Sequence, residues 1–286
     1  MQFGFFGDCT RQGLLTLLAS ICVVPPALAE GGPDHPAVPS LKNQPVPTRT
    51  IEDKAVPLTF GPIDLPAAHD GELAASMPKH NFQLPHDMSM GGYTAAVFTK
   101  AGTSLPKNYL PHILMLNNSN PSVSCEGEPR CFAGAGLDMT EPRFPEGHGV
   151  TLAKGDHLMS LVAFYYGAPI TKEVMATFTM SMAPEGAPIK KLDGYQVGVT
   201  IVCFSKFSQR GPDQTDEGIE ITTGVRVHSA PLKFSMDGCV KFAYPHGHDE
   251  LLMIGLDNTT TNQTLLRTVP DVTQDGTFIQ FQPHQV

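Results

Sequence analysis

The sequence predicts an all-β protein, a jelly-roll-like β-sandwich divided into two small sandwich domains side by side. Three observations carry that expectation. Short apolar runs with two-residue alternation recur from residue 90 to the C-terminus. No long stretch repeats its apolar residues at the 3.6-residue period of a helix. Glycine (27) and proline (26) are frequent among the 286 residues, which suits many turns.

The strands follow in order. Residues 93–99 and 112–117 are apolar runs bounded by glycine, proline or asparagine. Along residues 174–182, Val174, Ala176, Phe178, Met180 and Met182 fall on one face, and Thr177, Thr179 and Ser181 on the other. Residues 195–204 place Tyr195, Val197, Val199, Ile201 and Cys203 together. Runs at 219–227, 233–242, 251–256 and 277–282 continue the series. Met175, Met180 and Met182 read as core residues, since methionine fills gaps in apolar interiors. The composition shifts at Ala-Pro-Glu-Gly-Ala-Pro, residues 183–188, so the expected domains are 86–190 and 191–286.

The first 85 residues read differently. Residues 1–29 combine Arg11, an apolar core at 14–24 and Ala27-Leu-Ala29, the pattern of a signal peptide cleaved before Glu30. That core is too short to span a bilayer. The expected location is therefore secreted or periplasmic. Residues 30–85 are rich in proline and read as an extended arm.

Net charge is −9, and loss of Asp8 and Arg11 with the leader leaves it unchanged. Such a chain repels nucleic acid and anionic membranes, so neither is an expected partner after leader cleavage. A small-molecule or protein partner is left unspecified. The chain beyond the leader keeps Cys125, Cys131, Cys203 and Cys239. In an oxidising compartment an even count favours disulfides. Cys125–Cys131 would close a short loop, and Cys203–Cys239 would staple two strands. A Cys/His metal site is the alternative, although the spacings are not those of a zinc ribbon.

The chemistry-bearing segment is Tyr244-Pro-His-Gly-His-Asp-Glu250. At the start of a strand, His246 and His248 share a face, and two neutral imidazoles together suit copper, zinc, iron or nickel. A third donor would come from His112, His228, His284 or a methionine. Asp249 and Glu250 could orient a ring by accepting its second N–H. The alternative is a polar turn with solvated histidines. A second cluster reads His80-Asn-Phe-Gln-Leu-Pro-His-Asp-Met-Ser-Met90; if 86–90 is extended, His86, Met88 and Met90 share one face, a soft donor set that favours Cu(I), the alternative being methionines that fill gaps in a core.

Other catalytic patterns are missing. No Gly-x-Ser-x-Gly elbow, phosphate-binding glycine loop or His-Glu-x-x-His occurs. Asp216-Glu217 lies in a polar loop, residues 209–218, and reads as solvated. Asn117, Asn258 and Asn262 begin glycosylation patterns that only a eukaryotic source would use.

From residue 86 to 282 the order of motifs resembles the copper type II, ascorbate-dependent monooxygenase family, of which peptidylglycine hydroxylating monooxygenase is one. It is also similar to that family's stress-up-regulated nodulin-type secreted relatives. The segments are Gly91-Gly-Tyr-Thr-Ala-Ala-Val-Phe-Thr99, Pro111-His-Ile-Leu-Met-Leu-Asn-Asn118, Arg143-Phe-Pro-Glu-Gly-His-Gly-Val150, Lys154-Gly-Asp156, Phe234-Ser-Met-Asp-Gly-Cys-Val-Lys241 and Pro245-His-Gly-His248. The resemblance implies two jelly-roll domains and two coppers, one on three histidines and one on a His-x-His pair with a methionine. It implies ascorbate as external reductant. The ligand set is incomplete here. Pro111 stands where the first of a histidine pair would be, leaving His112. The run Leu161-Val-Ala-Phe-Tyr-Tyr-Gly167 supplies no histidine, although His157 precedes it. The reading that follows is a secreted copper-binding β-sandwich with one copper ion at His246, His248 and His112. A metal-free interaction module, or an active monooxygenase with displaced ligands, are the alternatives.

Overall fold

The computed structural model describes residues 2–7, 16–23, 55–65, 73–76, 80–110, 112–122, 127–165, 171–197, 225–233, 238–247, 251–274 and 278–285. Expectations placed on Cys125, Cys203, His248, Asp249, Glu250 and the loop at 209–218 lie outside them. In chain order the strands are β1 (Gln2–Gly7), β2 (Thr16–Val23), β3 (Ala55–Leu65), β4 (Leu73–Ser76), β5 (His80–Gln83), β6 (Met88–Thr99) and β7 (His112–Pro121). They continue with β8 (Pro129–Ala135), β9 (His148–Leu152), β10 (His157–Tyr165), β11 (Thr171–Met182), β12 (Lys190–Lys191) and β13 (Asp193–Val197). The last are β14 (Arg226–Lys233), β15 (Cys239–Pro245), β16 (Leu251–Asn258), β17 (Gln263–Thr268), β18 (Asp271–Val272), β19 (Phe278–Gln280) and β20 (His284–Gln285). The fold is all-β, and its long pairings are antiparallel. Among the described residues no helix is long and apolar enough to cross a membrane.

The chain forms two compact units. A central unit takes Val46–Ser122 and Pro129–Gly194; a terminal unit takes Met1–Pro45, Val123–Glu128 and Tyr195–Val286. The change of unit after Gly194 lies close to the division expected at 190, but neither unit is one continuous segment.

The central unit is a sandwich of two sheets. One has the order β12-β9-β6-β11-β3, the other β4-β10-β7-β8 with β5 also paired to β10. The alternation read along β11 is present: Val174, Ala176, Phe178 and Met180 are fully buried and Met182 nearly so, while Thr177, Thr179 and Ser181 are half-buried. Met175 departs from its expected core position. It falls on the Thr177 side of the strand and is half-buried, as strand parity requires. Phe178 stacks on Tyr93 at 4.5 Å between centroids. These are diagonal neighbours, because Phe178 lies opposite Ala95. Two contacts join the sheets: the Tyr93 hydroxyl donates to the Gly134 carbonyl, and Phe60 meets His80 edge-on at 5.4 Å.

Residues 55–83 correct the expectation of a proline-rich arm. β3 pairs along nearly the whole of β11, from Ala55 opposite Ser181 to Leu65 opposite Thr171, and buries Phe60 and Leu65. β4 and β5 pair with β10. Pro57 and Pro62 sit on β3 because it is the edge of its sheet, where a residue without an N–H breaks no ladder on the open side.

The terminal unit has sheets ordered β13-β1-β15-β20 and β14-β2-β16-β17, with β18-β19 as a small pair. β1 and β2 lie within the expected leader. β1 pairs with β15, and β2 pairs with both β14 and β16. Ile254 and Phe281 form a buried cluster with Leu251 packed against it. Arg267 clamps Asp257 across β16 and β17, its Nη2 donating to both carboxylate oxygens at 2.8 and 2.6 Å.

Candidate metal centres

β15 lies between β1 and β20, and its burial deepens toward its end, so that Phe242, Ala243 and Tyr244 are all interior. His246 follows immediately and is 4% exposed. It is therefore not a solvated turn residue, and it interacts with its surroundings. Gly247 is buried beside it. A Cβ at this position would overlap the Leu251 Cδ2 methyl and stand 3.0 Å from the Phe281 ring. The glycine between the histidines thus answers a packing demand.

Of the possible third donors, His284 shares the terminal unit. It lies opposite Ala243 on β15. Its Nε2 is buried with no hydrogen-bond partner, and burial lowers its pKa from 6.5. A neutral imidazole with an unused nitrogen is the form that binds metal. The pleat would send residue 246 and His284 to opposite faces, but β15 ends at Pro245, one residue before His246. His112 opens β7 in the central unit, half-buried and opposite Ala163. His228 is half-buried on β14, in the other sheet of the terminal unit. His157 is exposed, with its Nε2 3.5 Å from Gln83 Nε2. Among the described residues, no three of His, Cys, Asp and Glu come together as a metal-binding group.

The second cluster is placed differently from its reading. Met88 and Met90 are buried on one face of β6, as alternation requires, but His86 precedes the strand and is exposed. His86 and Met88 line a cleft of about 970 Å³ in the central unit, whose wall also includes Met182, Asp87 and Asp156. Met90 is fully buried and lies opposite Met182 in the β6–β11 ladder. Only strand register brings Met182 beside residues nearly a hundred positions earlier, so no local pattern could show that it shares this cleft.

The expected Cys125–Cys131 disulfide is corrected. Cys131 is a free thiol on β8, buried, with Sγ donating to the Ala133 carbonyl at 3.5 Å. Burial pushes its pKa up to about 12. The side chain is buried on β8. Cys239 is disulfide-bonded.

A further polar pair lies in the central unit. Ser160 is fully buried and its hydroxyl has no partner; His80, its cross-strand neighbour, has a buried Nε2 in the same condition. His80 opens the His80–Met90 segment of the sequence, but no sequence pattern marked Ser160 or its pairing with His80.

A scan against protein-family models found no match to this chain, and searches of curated proteins and of solved structures found none either.

Proposed function

We propose that the chain is a secreted copper-binding β-sandwich protein, with one copper held by His246, His248 and His284 in the terminal unit. The observation that carries this is the buried, unpartnered Nε2 of His284, kept neutral on the strand next to β15, which leads directly into His246-Gly-His248. An orphaned imidazole nitrogen is otherwise a net loss of about 1–3 kcal/mol, and a metal bond removes it. His284 replaces His112 as third ligand because it belongs to the same unit. Bound copper would supply one-electron chemistry toward dioxygen, with ascorbate as external reductant. The protein's own part is to hold the His246 ring and the His284 Nε2 away from water.

The test is direct. Load the purified chain with Cu(II), desalt it, and measure metal per chain and the EPR spectrum. One copper with nitrogen couplings is expected, lost in His246→Ala/His248→Ala and weakened at least tenfold in His284→Ala. No copper retained at micromolar protein would support the metal-free interaction module instead. Secretion rests on the leader pattern of residues 1–29; cleavage before Glu30 would remove β1 and β2 and leave β15 and β16 without those partners. Recovery of exported chains that keep β1 and β2 would refute cleavage.

A further inference from the structure

We infer that the cleft of the central unit binds a soft monovalent metal ion, Cu(I), through the side chains of His86, Met88 and Met182. The site lies in a different unit from the centre proposed above and does not rest on it. All three residues line the same cleft of about 970 Å³. The ladder explains how. Met90 is directly opposite Met182, and Met88 precedes Met90 by two residues on the same face. Met88 and Met182 are therefore diagonal neighbours, about 7–8 Å apart at Cα and within reach of two long thioether side chains. Met90, fully buried, stands behind them. His86 comes from the bend before β6 and makes no hydrogen bond among the described residues, so its ring is available.

The harder donors of the cleft already have structural work. Asp87 Oδ1 accepts the Lys154 N–H at 2.7 Å. Asp156 Oδ2 accepts from Asn117 Nδ2 at 2.7 Å and the Ala153 N–H at 3.0 Å. Lys191, also on the cleft wall, pairs with Asp193 at 3.1 Å. Glu185 lies on the exposed turn that borders the cleft. One imidazole and two thioethers share the cleft wall, a set that selects Cu(I) over Zn(II) or Mg(II). The nearby carboxylates of Asp87 and Asp156 favour a cation without having to ligate it.

The experiment uses the full chain carrying His246→Ala and His248→Ala, so that failure of the other centre cannot be mistaken for failure of this one. Cu(I) is titrated anaerobically under reductant against a chromogenic Cu(I) chelator. One Cu(I) per chain is expected, with affinity falling at least tenfold in His86→Ala and a hundredfold in Met88→Leu/Met182→Leu. Leucine keeps the volume of methionine, so the sandwich is retained. The exposed His86 can be replaced without touching the core. Met90→Leu is expected to bind as its parent does. The inference is overturned if the parent retains no Cu(I), if His86→Ala and the Met88/Met182 variant bind like the parent, or if Met90→Leu loses as much as they do.

Discussion

Gly247→Ala tests whether the segment that carries His246 is held in one geometry. The added methyl would overlap Leu251 Cδ2 and sit 3.0 Å from Phe281 Cε2. Both residues belong to the Ile254–Phe281 cluster, and Phe281 is fully buried. Overpacking of this kind costs about 1–3 kcal/mol. Leu251→Ala removes the atoms that clash and, from a half-buried site, should itself cost about 1–2 kcal/mol, below the full-burial range. The double variant then keeps only the Phe281 contact, which a shift of a few tenths of an ångström relieves. Urea unfolding of the four chains gives the cycle, and the double variant should be more stable than the sum of the singles by about 1–2 kcal/mol. Additivity within about 0.3 kcal/mol, or a Gly247→Ala chain as stable as its parent, would show that the backbone at 246–247 does not pack as described.

Other outcomes follow from single residues. Phe178→Ala should destabilise the central unit by about 3–5 kcal/mol, because Phe178 is fully buried and stacked on Tyr93; a loss under about 1 kcal/mol in thermal or urea unfolding would contradict that burial. Cys131 should resist alkylation at pH 8 in the native chain and react in urea, as followed by peptide mass mapping, since its thiol titrates only near 12 when folded. Ser160→Ala should leave stability unchanged or raise it by up to about 1 kcal/mol, since the hydroxyl it removes is buried without a partner; a clear loss would mean that a bound water satisfies that group. His284 should add a pH dependence. Its folded pKa lies below the ordinary 6.5, so as pH falls the unfolded chain takes up the proton first. Its contribution is complete above about pH 6.5 and declines as pH drops from there toward the folded value. His284→Gln should flatten that slope, and an unchanged slope would place the effect on another group.

Strand existence was legible wherever one face is buried. β11 shows this best: two-residue alternation from Val174 to Met182 matches its burial residue by residue. β3 was not legible, because Pro57 and Pro62 read as breakers until the sheet order shows that the strand is an edge. The chain changes unit after 45, 122, 128 and 194. That Val123–Glu128 groups with the termini depends on long-range packing, which no local pattern records. The sites follow the same division. His246-Gly-His248 is local and could be found. The relation of Met182 to Met88, and of His284 to β15, exists only through register.

The motifs that resemble the copper monooxygenases have a physical reading of their own. Gly92 forms a bridge to Arg143, and a Cβ there would meet the Pro142 carbonyl oxygen at 2.6 Å. Around that bridge, Phe144 N–H donates to Gly91 O at 3.0 Å and Tyr93 N–H to Pro142 O at 3.1 Å. The Gly91–Thr99 and Arg143–Val150 segments are therefore two halves of one close approach. Lys154-Gly155-Asp156 is a turn, with Gly155 at φ +88° and the Asp156 carboxylate closing onto Ala153. That carboxylate also ties in Asn117 of the Pro111–Asn118 segment. Four of the six resembling segments thus recognise one another through backbone contacts, a turn and a side-chain amide. A sandwich that needs this close approach and this turn will favour these residues whether or not it binds copper. The resemblance in the central unit consequently argues for the sandwich, and the case for metal rests on the imidazoles and thioethers themselves.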